Sequence, residues 1–319
     1  MGTGNGLLPC FSENPMTHRK LVSHFFLKAF LMAVFASPLA WAADTASKPE
    51  EQMAAAIKVG QAQWLETGSD RFLGIYTKAT SGTPEGGAII LPSLGINPDW
   101  PDVIAPLREG LPNYSWSTLS IQLPTPTRGS DGLWQLEPYF TASRVRIQAA
   151  IAFLEQQGIT NIALVGHGLG AVTAVVSLSG TDPLKVSALA AISLGVPPLS
   201  APSTYKPALL ENIRIPILDI YGSRDLDEVT QSAAARLVAA RQGGRDASHN
   251  QHLESLAHSA MARLPTTEQN GYIAYRQLKL MGADHMFRGA DDTLVKRVAG
   301  WLKKHANAVE SPVETVNKS

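Results

Sequence analysis

The sequence is short of the residues that define several protein classes. One cysteine, Cys10, occurs among 319 residues, so there is no disulfide framework, and beyond that position there is neither a thiol nucleophile nor a thiolate metal ligand. Neither charge sign is in excess, since Lys plus Arg and Asp plus Glu each number 27. That balance excludes a globally basic nucleic-acid binder and an acidic solvating tail. Internal repeats are absent. After the N-terminal region no apolar stretch is long enough to span a bilayer.

The one long apolar run lies near the N-terminus. Met16-Thr17-His18-Arg19-Lys20 opens a basic segment, "FFLKAFLMAVFASPL" follows, and "AWA" (Ala40 to Ala42) places small residues at a cleavage position. This pattern predicts a secretory signal peptide over residues 16–42, cut after Ala42. Lys28 interrupts the run, and its uninterrupted part falls below the ~20 residues a spanning helix needs. Residues 1–15 then read as a mis-assigned extension with Met16 as the true start. The mature chain would be free of cysteine, which fits an oxidising periplasm or the exterior.

Beyond the leader, residues 43–69 are polar and Ala-rich, as in a linker or short helix, and the tail 306–319 reads as disordered. Between them, in one domain over residues 70–305, β-branched apolar runs alternate with helical spacing. Strands are expected at 87–92, 117–124, 161–166, 188–195, 215–222 and 275–282, most of them apolar throughout, as in a parallel sheet covered on both faces. Helices are expected at 138–158, 171–180, 229–244 and 291–306, with a further one at 249–264 ended by Pro265. The alternation predicts an α/β fold with a doubly wound, mostly parallel sheet.

The stretch "NIALVGHGLGAVTAVVS", Asn161 to Ser177, carries the strongest signal. Gly166, Gly168 and Ala171 formally satisfy a dinucleotide fingerprint between strand and helix. A ribose-binding acid should end the next strand, but that strand ends Ser193-Leu194-Gly195, which opposes a cofactor there. The spacing also fits a nucleophile elbow, G-x-S-x-G, with Gly168 where the serine belongs. Asp225 follows a later strand in "IPILDIYGSRD" and His285 follows the last in "LKLMGADHMF", the chain order of an acid and a histidine in such enzymes. On these motifs the chain resembles the α/β-hydrolase superfamily over roughly residues 70–305, and in particular a family of exported bacterial α/β-hydrolase-like proteins of unknown function.

The resemblance implies that Asp225 and His285 are remnants or atypical members of a triad and that Gly168 holds the nucleophile position. It also implies that the backbone N–H groups of Leu94, in "ILPSLGINPDW", and Leu169 form an oxyanion hole. Ser93 and His167 are candidate ligand contacts. Ser93 lies on the oxyanion loop, from which its hydroxyl is expected to approach from the wrong side to replace the missing serine, and His167 is expected to pack beside the turn. A glycine at 168 permits no acyl-enzyme there. The leading expectation is a non-catalytic or atypical member that binds a small acyl or anionic ligand, or a protein partner. The alternative is a hydrolase in which the His285–Asp225 pair activates water. His249, His252 and His258 lack acidic companions in a ligand pattern, so neither a metal nor another cofactor is expected.

Overall fold

The computed structural model describes residues 48–68, 70–243 and 274–306. The leader, the helix expected at 249–264, its three histidines and the tail from 307 lie outside the described residues. Strands are β1 (Gln61–Thr67), β2 (Asp70–Thr77), β3 (Gly86–Leu91), β4 (Trp116–Ile121), β5 (Thr127–Arg128), β6 (Trp134–Gln135), β7 (Ile162–His167), β8 (Ala188–Ile192), β9 (Ile217–Arg224) and β10 (Tyr275–Asp284). Helices are α1 (Lys48–Ala56), α2 (Ile104–Gly110), α3 (Leu136–Gln156), α4 (Leu169–Ser179), α5 (Asp227–Gly243) and α6 (Asp291–His305).

Eight strands form one sheet in the order β1-β2-β4-β3-β7-β8-β9-β10. From β4 to β10 every neighbouring pair is parallel, whereas β1 and β2 add an antiparallel edge. All six expected strands and the four expected helices within the described residues are present, which gives the doubly wound, mostly parallel sheet. The segment 43–69 is more than a linker: it holds α1 and β1, so the sheet begins at Gln61. Only Leu65 of β1 is buried, and an edge strand this polar lacks the apolar run that marks its buried neighbours.

Alternation along the central strands feeds two cores. Ile89 and Leu91 of β3 and Leu164 of β7 join the core that includes α3 and α4. Ala88, Ile90, Ala163 and Val165 point the other way, into the core under α2 and α6. The period of two thus places a helix layer on each face. Helix α4 is apolar on nearly every side and buried almost throughout, as befits a helix following the central strand. Helix α6 carries Asp291 and Asp292 in its first turn and Lys303, Lys304 and His305 in its last, matching the helix dipole at both ends.

Candidate active site

Strand β7 is central and buried, and it passes into α4 through one residue. Gly168 has φ 52° and ψ −119°, a conformation costly for any residue with a β-carbon. Its flanking glycines answer to close approach: a β-carbon at Gly170 would lie 2.1 Å from the Leu91 carbonyl oxygen, and one at Gly166 2.6 Å from Ala171. The G-x-G-x-G spacing is therefore what lets helix and strand meet so tightly.

Two later strands bring an acid and a base to the same end of the sheet. Asp225 follows β9, and its Oδ1 lies 2.7 Å from His285 Nδ1. That carboxylate is held on all sides: Oδ2 accepts from Ser193 Oγ at 2.5 Å and from the Gly222 N–H at 3.1 Å, and Oδ1 also accepts from the Leu226 N–H at 2.9 Å. Burial pushes its pKa up, but the hydrogen bonds from His285, Ser193 and Gly222 outweigh it and hold the carboxyl below its ordinary range. His285 follows β10 on a turn tied by Asp284, whose Oδ1 accepts from the Met286 N–H at 3.0 Å. With Nδ1 turned to Asp225, its Nε2 faces the turn at Gly168, 3.6 Å from where a β-carbon there would sit.

His167 does not line a ligand surface. It is 1% exposed, and its Nε2 lies 3.0 Å from the His285 carbonyl oxygen, so it supports the backbone that carries His285. Burial, then the neighbouring His285, lower its pKa to about 4, and it stays neutral at ordinary pH. In that state Nε2–H donates to the carbonyl. Ser193, at the end of β8, was not expected in the site. It has φ 51°, an unusual value for serine, and orients Asp225 from a different strand. Its place at the carboxyl end of the strand beside β7 is the only sequence signal for it.

Ser93 departs furthest from expectation. Its Oγ does not approach from the wrong side but fills the place a side chain at 168 would take: a β-carbon on Gly168 would lie 2.3 Å from Ser93 Oγ and 2.9 Å from its Cβ. The Leu169 N–H, expected to face a ligand, donates to Ser93 Oγ at 3.1 Å. Leu94, next along the loop, is half-buried and packs against the α3–α4 core. A cleft of about 210 Å³ opens beside this loop, walled by Ser93, Leu94, Gln122, Leu123 and Tyr139 among others. Among the described residues no cluster of His, Cys, Asp and Glu could hold a metal ion, and no helix is long and apolar enough to cross a membrane.

A parallel sheet with a tight central turn at its carboxyl end, and an Asp–His pair from its last two strands, gives the chain the α/β-hydrolase fold. Within it, residues 26–133 and 139–259 match the family described as Protein of unknown function (DUF3530), and the chain belongs to that family. No protein of curated function matches the sequence. Among solved structures the chain is similar to Est1E from Butyrivibrio proteoclasticus, with 11% identity and a TM-score of 0.54 over 76% of this chain and 98% of that one. An esterase from Pyrococcus furiosus gives 13% identity and 0.52 over 77% and 90%. A putative α/β-hydrolase from Agrobacterium tumefaciens gives 16% and 0.51 over 76% and 95%. At such identities the likeness is one of fold.

Proposed function

We propose that this protein is an exported hydrolase that cleaves a small acyl compound, with His285 as general base and Asp225 as the group that orients it. The 2.7 Å contact between Asp225 and His285 carries this reading. A carboxylate satisfied on both oxygens fixes the imidazole tautomer and leaves Nε2 free to take a proton from an attacking hydroxyl or water. Gly168 supplies no side chain, so the turn itself holds no nucleophile. The start of α4 offers N–H groups and a positive dipole end to the oxyanion of an acyl-transfer intermediate. The cleft is smaller than the 300–1,000 Å³ usual for drug-sized ligands, which favours a small acyl group.

A second reading, binding of an acyl or anionic ligand without turnover, draws support from that same bare glycine. One screen separates the two. Esters, thioesters and lactones with short acyl groups are offered to protein beginning at Ala43, with His285→Ala beside it. Turnover that falls by about 10² to 10⁴-fold without the histidine supports the hydrolase. Binding without turnover of any class supports the second reading. Export rests on the basic start, apolar run and small residues before Ala43. N-terminal sequencing of the exported protein should begin there, and an intact segment retained in the membrane would overturn it.

A further inference from the structure

The nucleophile missing from the turn after β7 has a counterpart on the loop after β3. We propose that Ser93 is that nucleophile, its Oγ occupying the volume that a side chain on the turn would need; the inference rests on the acyl-hydrolase reading above.

Four observations converge on this hydroxyl. The first is mutual exclusion: Ser93 Oγ lies 2.3 Å from the position of a β-carbon at 168, so the molecule has room for a hydroxyl from one chain position or the other. Gly168 is what admits Ser93. The second is the base. His285 Nε2 stands 3.6 Å from that same point, with its other nitrogen committed to Asp225. Nucleophile and base thus both border the vacant side-chain position, and such pairs are commonly looser before substrate binds. The third is the Leu169 N–H, which donates to Ser93 Oγ from the first residue of the 11-residue helix α4. A donor at the positive end of a helix favours negative charge on that oxygen.

The fourth is access. Ser93 is half-buried and forms part of the cleft wall with Leu94 and Tyr139, so a group seated in that cleft would meet this residue. The loop that presents it is braced. The Ile96 N–H donates to the Ser93 carbonyl at 3.2 Å, and the Asp99 N–H donates to Asn97 Oδ1 at 2.9 Å. Asp99 also pairs at 2.5 Å with Arg108, which is itself only 1% exposed.

The chemistry balances without a cofactor. Ser93 Oγ forms a bond to the acyl carbon while its proton passes to His285 Nε2, and the Leu169 N–H that held the hydroxyl at rest becomes available to the oxyanion. The bond to the leaving group then breaks, and that group takes the proton from His285. Water, deprotonated by the same histidine, cleaves the acyl–Ser93 ester, releases the carboxylic acid and restores the hydroxyl. Esters and thioesters of small acids are the substrate class this sequence serves.

A fluorophosphonate probe with peptide mapping tests the assignment on protein beginning at Ala43. A single adduct on Ser93 is expected, absent in Ser93→Ala and at least 10²-fold slower to form in His285→Ala. The hydrolysis rate should fall by a similar factor in Ser93→Ala while its thermal melt stays close to that of the parent. Should Ser93→Ala not fold, Ser93→Cys decides, because its thiol should react with an iodoacetamide probe at a rate that depends on His285. An adduct on another serine, or labelling of that thiol indifferent to His285, overturns the assignment. Ser93→Ala turning over esters at the parental rate overturns it too and leaves the hydrolase reading intact, with water as nucleophile. Absence of both adduct and turnover in the parent overturns both.

Discussion

Positions 93 and 168 compete for one volume, and that competition has consequences for single substitutions. Gly168→Ser meets Ser93 Oγ at 2.3 Å and also places a non-glycine residue at φ 52°. It should lower stability by at least the ~1–3 kcal/mol of such backbone strain, as read by urea denaturation. Ser93→Gly combined with Gly168→Ser removes the overlap, and the double variant should recover part of that loss. A double variant no more stable than Gly168→Ser would mean that the two side-chain positions do not overlap. Asp225 and His285 were legible as a pair because their order and their places after strands are sequence properties. The direction of Ser93 was not, since a loop side chain takes its aim from what packs against it. Ser193 was illegible for a related reason: its partner Asp225 lies 32 residues away, and nothing local to serine announces that contact. Ser193→Ala should leave the fold in place and remove one of the two hydrogen bonds to Oδ2 of Asp225, leaving that from the Gly222 N–H. Hydrolysis should then weaken mainly in kcat, with the acid limb of the pH profile moving to higher pH as the carboxyl loses a hydrogen bond that holds it low. A profile unmoved by the change would mean that Ser193 does not orient the acid.

The elements that carry the site are anchored by a buried ion pair one layer below. Arg236 of α5 meets Asp219 of β9 at 2.8 Å, and both side chains are fully buried. Tyr275 and Gln277 of β10 also donate to Asp219, at 2.8 and 2.9 Å. Burial opposes the charge on Arg236, but Asp219 outweighs it and raises the guanidinium pKa. The pair ties α5 to the two strands whose ends bear Asp225 and His285. Arg236→Met should therefore cost about 3–5 kcal/mol, because it leaves a buried carboxylate without its counterion. A loss below 1 kcal/mol in urea denaturation would mean that the tyrosine and glutamine suffice. The core strands were readable in the sequence because burial on both faces makes them apolar runs. The β1–β2 edge was not: β1 has one buried residue and alternates with Gln, Glu and Thr, a pattern indistinguishable from a polar linker until its partner is known. Helix α2, only seven residues long, is too short to show a helical period.

At the scale of the whole molecule, folding and the site respond to acid together. His167 has a folded pKa of about 4 against 6.5 in the ordinary state. A lowered histidine pKa means that the fold favours the neutral form, so its contribution is complete above about pH 6.5 and declines as pH falls towards 4. The size is on the order of 3 kcal/mol. Asp225, also lowered, favours its charged form, and its contribution is lost at still lower pH as the carboxylate takes a proton. Stability should therefore drop between pH 6.5 and 4, and His167→Gln, whose amide can still donate to the His285 carbonyl, should flatten that interval. An unchanged slope would place the acid sensitivity elsewhere.

The covalent intermediate itself is the most direct observable. Protein beginning at Ala43 is mixed with an activated acetate ester, quenched in acid during turnover, and weighed intact by mass spectrometry. One acetyl group per chain, located on Ser93 and missing from Ser93→Ala, is the expected result. Ester turnover with no acetylated protein at any quench time, or acetylation that persists in Ser93→Ala, would contradict a hydrolase whose nucleophile stands on the loop after β3.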